Sequence, residues 1–263
     1  MNLLSIKNLS KNFGGIKALI DVNIELKKGS LTGLIGPNGA GKSTVFNMIT
    51  GIYPPSSGTI TFNGVNITTK PYKNTKLGIA RTFQNIRLFK NLTVLDNVKI
   101  PEHLHVEYGI LSSFLQGPKY LKGEKAEDNE AIELLKIFNL DKFKMNLAKN
   151  LPYGEQRKLE IARALATKPL LLLLDEPAAG MNPQETKELL DTVKFVRDKF
   201  NITVFLIEHD MSFVMELCED IYVMDYGEII AHGTPDEIKR NPKVIAAYLG
   251  EDTNEITLEG GIS

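Results

Sequence analysis

The chain has 263 residues, 43% of them hydrophobic, with 31 Lys+Arg against 32 Asp+Glu for a formal net charge of -1. That length and apolar share allow a sizeable core, and the balanced charge speaks against a nucleic-acid partner, whose binders carry a basic excess. A single cysteine, Cys218, excludes an intrachain disulfide, and the longest aliphatic run, residues 170–174, falls far short of the ~20 residues that span a bilayer.

The opening residues meet Lys7 and Lys11 too soon for a signal peptide, so a reducing cytoplasm is expected and any membrane work needs a partner. Residues 3–8, 21–26 and 59–66 read as short strands, with Asn63-Gly64 predicting a type I′ hairpin. Residues 30–35 form an apolar strand that runs into a glycine-rich turn, and residues 42–49 read as the helix behind it. The turn is Gly36-Pro37-Asn38-Gly39-Ala40-Gly41-Lys42-Ser43, followed by Thr44, and it has the spacing of a phosphate-binding loop. Glycines let the backbone N–H groups curl inward toward phosphate oxygens, and the helix start adds its positive end. Lys42 can then reach the β- and γ-phosphates of ATP, while the Ser43 hydroxyl suits Mg²⁺.

Farther along, residues 119–125 are charged and read as a solvated loop, and residues 126–140 carry helical spacing through Ala131, Leu134, Leu135 and Phe138. Residues 170–174 and 202–207 are buried-strand candidates around a helix at residues 183–200, an alternation that implies a parallel sheet covered on both faces. Residues 212–219 look helical, with Cys218 as a core thiol. The first of these strands ends in Asp175-Glu176, at the same sheet edge as the phosphate loop. Asp175 there could hold Mg²⁺ through its water shell and Glu176 could polarise a water; taken alone, the pair could equally cap the next helix. His103, His105 and His232 show no metal-ligand grouping. Residues 251–263 read as a frayed tail.

Leu151-Pro152-Tyr153-Gly154-Glu155-Gln156-Arg157, before a helical stretch to Ala166, resembles the signature motif of ABC-type ATPases, usually LSGGQ. Pro152 stands for the usual Ser, Tyr153 for the first Gly and Glu155 for the Gln; the missing hydroxyl leaves Tyr153, Gly154 and Glu155, the Gly154 N–H above all, to meet a nucleotide. The resemblance implies an α/β fold of the P-loop NTPase (RecA-like) kind, a parallel sheet with an antiparallel β subdomain and an α-helical subdomain. It implies one domain over residues 1–250, with 1–85 and 160–250 as the catalytic core and 86–159 as the helical subdomain. It further implies that Gln84 senses Mg²⁺ and the attacking water, that His209 faces the γ-phosphate and that Phe13 stacks on adenine. Residues 179–182 correspond to the loop through which paired subunits communicate.

Residues 78–89, 153–157, 175–183 and 246–251 are similar to the corresponding stretches of branched-chain amino acid importer subunits. That similarity implies a second ABC ATPase subunit, either a related chain or another copy, docked with this one on two transmembrane permease subunits at the cytoplasmic face of a bacterial plasma membrane. An external amino-acid-binding protein would deliver the cargo. Residues 86–98 with Leu111, Phe114 and Leu115 are expected near the permease contact. Two other readings compete: an ABC ATPase for another cargo, such as urea, amides or exported lipopolysaccharide, and a soluble ABC ATPase acting on DNA or ribosomes. The second generally needs a coiled-coil insertion or a second ATPase domain, and neither is apparent.

Overall fold

The computed structural model describes residues 2–102 and 118–248. The first elements are β1 (Asn2–Phe13), β2 (Ile16–Lys27), β3 (Leu31–Ile35), α1 (Lys42–Ile49), β4 (Ser57–Phe62) and β5 (Val65–Asn66). Then come α2 (Pro71–Lys76), β6 (Ile79–Arg81), α3 (Val94–Glu102), α4 (Pro118–Ile137), α5 (Tyr153–Leu165) and β7 (Leu171–Asp175). The last are α6 (Pro183–Phe200), β8 (Thr203–Ile207), α7 (Met211–Leu217), β9 (Asp220–Asp225), β10 (Glu228–Gly233) and α8 (Pro235–Lys239), followed by a helical segment at residues 242–248.

Two sheets result. One is six-stranded in the order β10-β9-β3-β8-β7-β6, parallel from β9 to β6, with β10 antiparallel at its edge. Every residue of β3, β7 and β8 is buried, as expected for continuous apolar strands covered on both faces. Alternation divides the cover: Leu171, Leu173, Phe205 and Ile207 point to one core, Leu172, Leu174, Val204 and Leu206 to the other. The first core holds Val45, Phe46 and Ile49 of α1 and the apolar side of the second sheet, which is antiparallel in the order β2-β1-β4-β5. The second core gathers the inner faces of α3, α5, α6 and α7.

Most sequence expectations survive, and the two helices at Lys42–Ile49 and Pro183–Phe200 match to the residue. The latter is bounded by a capping box: the Asn182 side chain accepts from the Glu185 N–H, and Glu185 accepts from the Asn182 N–H, each at 3.0 Å. Asn63 and Gly64 both have positive φ, 47° and 80°, the conformation of a type I′ turn. One expectation fails. Residues 119–125 are not a loop: α4 starts at Pro118 and runs through them. Lys, Leu and Glu are good helix formers, and one glycine, Gly123, does not outweigh them.

Val94 and Val98 are buried against Leu135, Phe138 and Leu151, whereas Phe89 and Leu92 are exposed. Leu111, Phe114, Leu115, His103, His105 and the tail lie outside the described residues. Cys218 is buried as expected, and burial pushes its thiol up. His232 stacks on Tyr222 and sits 2.8 Å from Asp220, a structural role.

Phe205 sits at the centre of the parallel sheet, its ring centroid 5.2 Å from that of Phe46. Phe205→Ala should cost about 3–5 kcal/mol in urea-unfolding free energy. Phe195→Ala, at an exposed position of α6, should stay within about 0.5 kcal/mol of wild type.

Candidate phosphate and hydrolysis site

The turn between β3 and α1 is shaped by close backbone approach. Gly36 has φ 147°, and a Cβ there would lie 1.9 Å from the Met224 carbonyl oxygen of β9. Gly41, at φ 106°, caps α1 without a side-chain acceptor; the Thr44 N–H turns back to the Gly41 carbonyl at 3.0 Å, and the N–H groups of Lys42 and Ser43 head the helix where an anion would sit. Lys42 is buried and curls back over the turn, donating to the carbonyls of Gly36 at 2.5 Å and Pro37 at 2.7 Å. Its ammonium is thereby held across the loop. Asn38, Gly39 and Ser43 are exposed, Pro37 and Thr44 half-buried, and Ala40 buried.

Three neighbouring strands end beside this loop. β7 ends in Asp175, which is buried and paired with Arg81 Nη2 at 2.7 Å. The other arm of Arg81 donates to Asn47 of α1, also at 2.7 Å, so one guanidinium ties β6, β7 and α1 together. Glu176 follows with φ 46°, its N–H donating to the Ile207 carbonyl at 2.9 Å. That left-handed turn carries its carboxylate to Gln84, whose Nε2 donates to Glu176 Oε2 at 2.8 Å. His209, just past β8, has Nδ1 3.8 Å from the same oxygen. Gln84, Glu176 and His209 therefore converge from β6, β7 and β8.

Behind them lies a carboxylate that the sequence reading missed. Glu208 is buried, accepting from the Ala178 N–H at 2.9 Å and the His209 N–H at 3.1 Å. It links the loop after Glu176 to His209. Burial pushes its carboxyl above the ordinary range, against the lowering effect of the backbone donors. Its position at the end of an apolar strand, like that of Asp175, was the available signal.

The segment at residues 151–157 enters α5 through Pro152, which offers no side-chain cap. The exposed Tyr153 ring lies against Gly180, where an added Cβ would meet it at 3.1 Å. Gly154 packs against Glu185, and Glu155 lies 3.5 Å from Lys158. Phe13 stands in an aromatic pair with Tyr53, edge-on at 5.3 Å, with Lys11 5.0 Å from its ring centre.

The oxygen donors Ser43, Gln84 and Asp175 have the hard-ligand chemistry of a Mg²⁺ site. Among the described residues no group of three or more His, Cys, Asp or Glu side chains is arranged to hold a metal ion by itself.

A family model described as ABC transporter matches residues 19–179, and one described as branched-chain amino acid ATP-binding cassette transporter matches residues 228–253. The chain is 44% identical over 250 residues to the high-affinity branched-chain amino acid transport ATP-binding protein LivG of Escherichia coli, covering 95% of this chain and 98% of that one. The ADP conformation of MJ1267, an ATP-binding cassette of an ABC transporter, superposes with a TM-score of 0.81 at 34% identity, covering 95% and 99% of the two chains. A dimeric post-hydrolysis state of the cassette MJ0796, bound to ADP and Pi, gives 0.74 at 26% identity, covering 88% and 98%.

Because the Glu208 pKa is raised in the folded chain, the stability linked to its proton is complete below the ordinary value of 4.5 and is lost as pH rises through the raised value. Glu208→Gln fixes the neutral state. The wild-type melting temperature minus that of Glu208→Gln should therefore fall steadily as pH goes from about 4.5 toward neutrality. A flat difference would mean that Glu208 titrates as an ordinary carboxylate.

Proposed function

The chain belongs to the ABC transporter family, and on that premise we propose that it is the ATP-hydrolysing subunit of an importer for branched-chain amino acids. The observation that carries the reading is the convergence of Gln84, Glu176 and His209 at the sheet edge where β3 delivers the Lys42 loop. Sequence identity to LivG over nearly the whole chain supports the cargo.

In this reading the phosphates of ATP lie in the turn formed by Gly36, Pro37, Asn38, Gly39, Ala40 and Gly41. Lys42 supplies charge to the β- and γ-oxygens, and Ser43 and Thr44 stand at the start of α1. Phe13, backed by Tyr53, offers its ring to adenine. Mg²⁺ would be held by Ser43, Gln84 and Asp175, and when bound it supplies neutralising charge for the phosphate oxygens. Glu176 polarises a water toward the γ-phosphorus and accepts its proton as the bond to the β-phosphate oxygen breaks, leaving ADP and inorganic phosphate. Gln84 orients that water and Glu176, while His209 faces the departing phosphate. The Arg81 pair keeps the Asp175 charge compensated in its buried setting.

Tyr153, Gly154 and Glu155 complete the site in trans. In a head-to-tail pair, with a second copy or a related chain, the Gly154 N–H and the start of α5 close over the partner's γ-phosphate. The dimeric, ADP- and phosphate-bound cassette similar to this chain supports that arrangement. Residues 1–85 and 160–250 act as the catalytic core, and residues 86–159 as a helical subdomain that meets the permeases, with exposed Phe89 and Leu92 toward them. No helix among the described residues is long and apolar enough to cross a membrane. In this reading the permease pair holds the chain at the cytoplasmic face.

Reconstituted in vesicles with its permeases and external binding protein, the chain should drive ATP-dependent uptake of labelled leucine. Glu176→Gln should still bind ATP but lower both hydrolysis and uptake by about 10²–10⁴-fold. Near wild-type turnover in that variant would remove Glu176 from the chemistry. ATP-dependent uptake of another solute in place of leucine, isoleucine or valine would overturn the cargo.

A further inference from the structure

Residues 82–89 run from β6 toward α3 without helix or strand, so their backbone groups must find partners elsewhere. Thr82 pairs with β7 and Phe89 with Asn97, and between them two side chains of α5 supply partners. Arg157 donates through Nη1 to the Phe83 carbonyl at 2.6 Å and through Nη2 to the Gln84 carbonyl at 2.7 Å. Glu160, one turn later, accepts through Oε1 from the Arg87 N–H at 3.1 Å and the Phe83 N–H at 3.4 Å. The two are paired to each other at 3.0 Å and are 0% and 1% exposed.

A buried ion pair of this kind is a weak source of stability, because desolvation offsets most of the attraction. Its geometry is better explained by what it holds. Four hydrogen bonds reach the backbone on both sides of Gln84, and the Arg87 guanidinium stacks 4.1 Å above the Phe83 ring within the same loop. The clamp also reaches the other way: the Tyr153 hydroxyl lies 3.2 Å from Arg157 Nη2, at the first residue of α5. A continuous chain of contacts thus runs from Tyr153 through Arg157 to the Gln84 backbone, and through the Gln84 amide to Glu176.

We infer that Arg157 and Glu160 are positioning residues for hydrolysis: they set Gln84 against Glu176 and make that contact follow the placement of α5. The inference rests on the reading of Gln84 and Glu176 as hydrolytic groups. It assigns the pair a role for which other side chains do not substitute. Arg157→Lys keeps the charge but loses the fork that spans two carbonyls. Glu160→Gln keeps the shape but presents an amide N–H₂ where acceptors are needed.

The test is a double-mutant cycle on steady-state ATP hydrolysis by the transporter assembly, with each of these variants made in the wild-type and Gln84→Ala backgrounds. Each single variant should lower kcat about 10-fold with KM for ATP within about twofold, and should add less than about twofold in the Gln84→Ala background. Hydrogen exchange of the Phe83 and Arg87 amides should speed up in Glu160→Gln, a readout that needs no activity. Equal losses in both backgrounds, or an unchanged kcat in the wild-type background with both variants folded, would overturn the inference. An unchanged kcat in Gln84→Ala alone would overturn the reading of Gln84, and this inference with it.

Discussion

Parallel pairing decides where the chemistry of this protein can be. In the order β9-β3-β8-β7-β6 every strand points the same way, so all five carboxyl ends lie along one edge. The chain leaves β3 into the Lys42 loop, β7 into Asp175 and Glu176, β8 into Glu208 and His209, and β6 into Gln84. None of these groups is brought to the others by its own local structure. They meet because Leu171, Val204 and their neighbours bury both faces of a sheet whose register leaves each exit at the same level.

The same arrangement forces unusual backbone and charge. Gly36 must pass so close to β9 that any side chain would collide with Met224, and Glu176 adopts a left-handed conformation to turn its carboxylate toward Gln84. Charged groups at that depth are compensated locally. Asp175 has Arg81, Glu208 has backbone donors, and Glu160 has Arg157 together with two amides of the loop that it shapes. Each of these pairings joins two or more segments, so neutralising a buried charge and fixing an active-site loop are one act.

Much of this was legible in the sequence, for identifiable reasons. The Lys42 loop and its flanking strand and helix form one local unit, and glycine spacing with apolar runs is enough to read it. The helix at Pro183–Phe200 was legible as the stretch between two buried-strand candidates, and the capping box of Asn182 and Glu185 fixes its start. What escaped were interactions between distant residues. Gln84 and Glu176 are hydrogen-bonded across 92 positions, and Arg157 reaches Gln84 across 73. In the sequence Arg157 stands only as the last residue of the signature-like segment and Glu160 draws no notice; their burial and the loop they hold become visible in the fold. At residues 119–125 the fault is the reverse: a charged stretch does not by itself mean loop, because Lys, Leu and Glu are also good helix formers. β6, with three residues, is too short to carry a periodic signal.

The central claim is that the Lys42 loop binds the phosphates of ATP, and titration calorimetry with Mg-ATP tests it most directly. The wild-type chain should bind one nucleotide per subunit, and Lys42→Ala should bind at least about 10- to 100-fold more weakly, as expected for losing a charge-assisted contact to buried phosphate oxygens. Unchanged affinity in a folded Lys42→Ala protein would contradict the account.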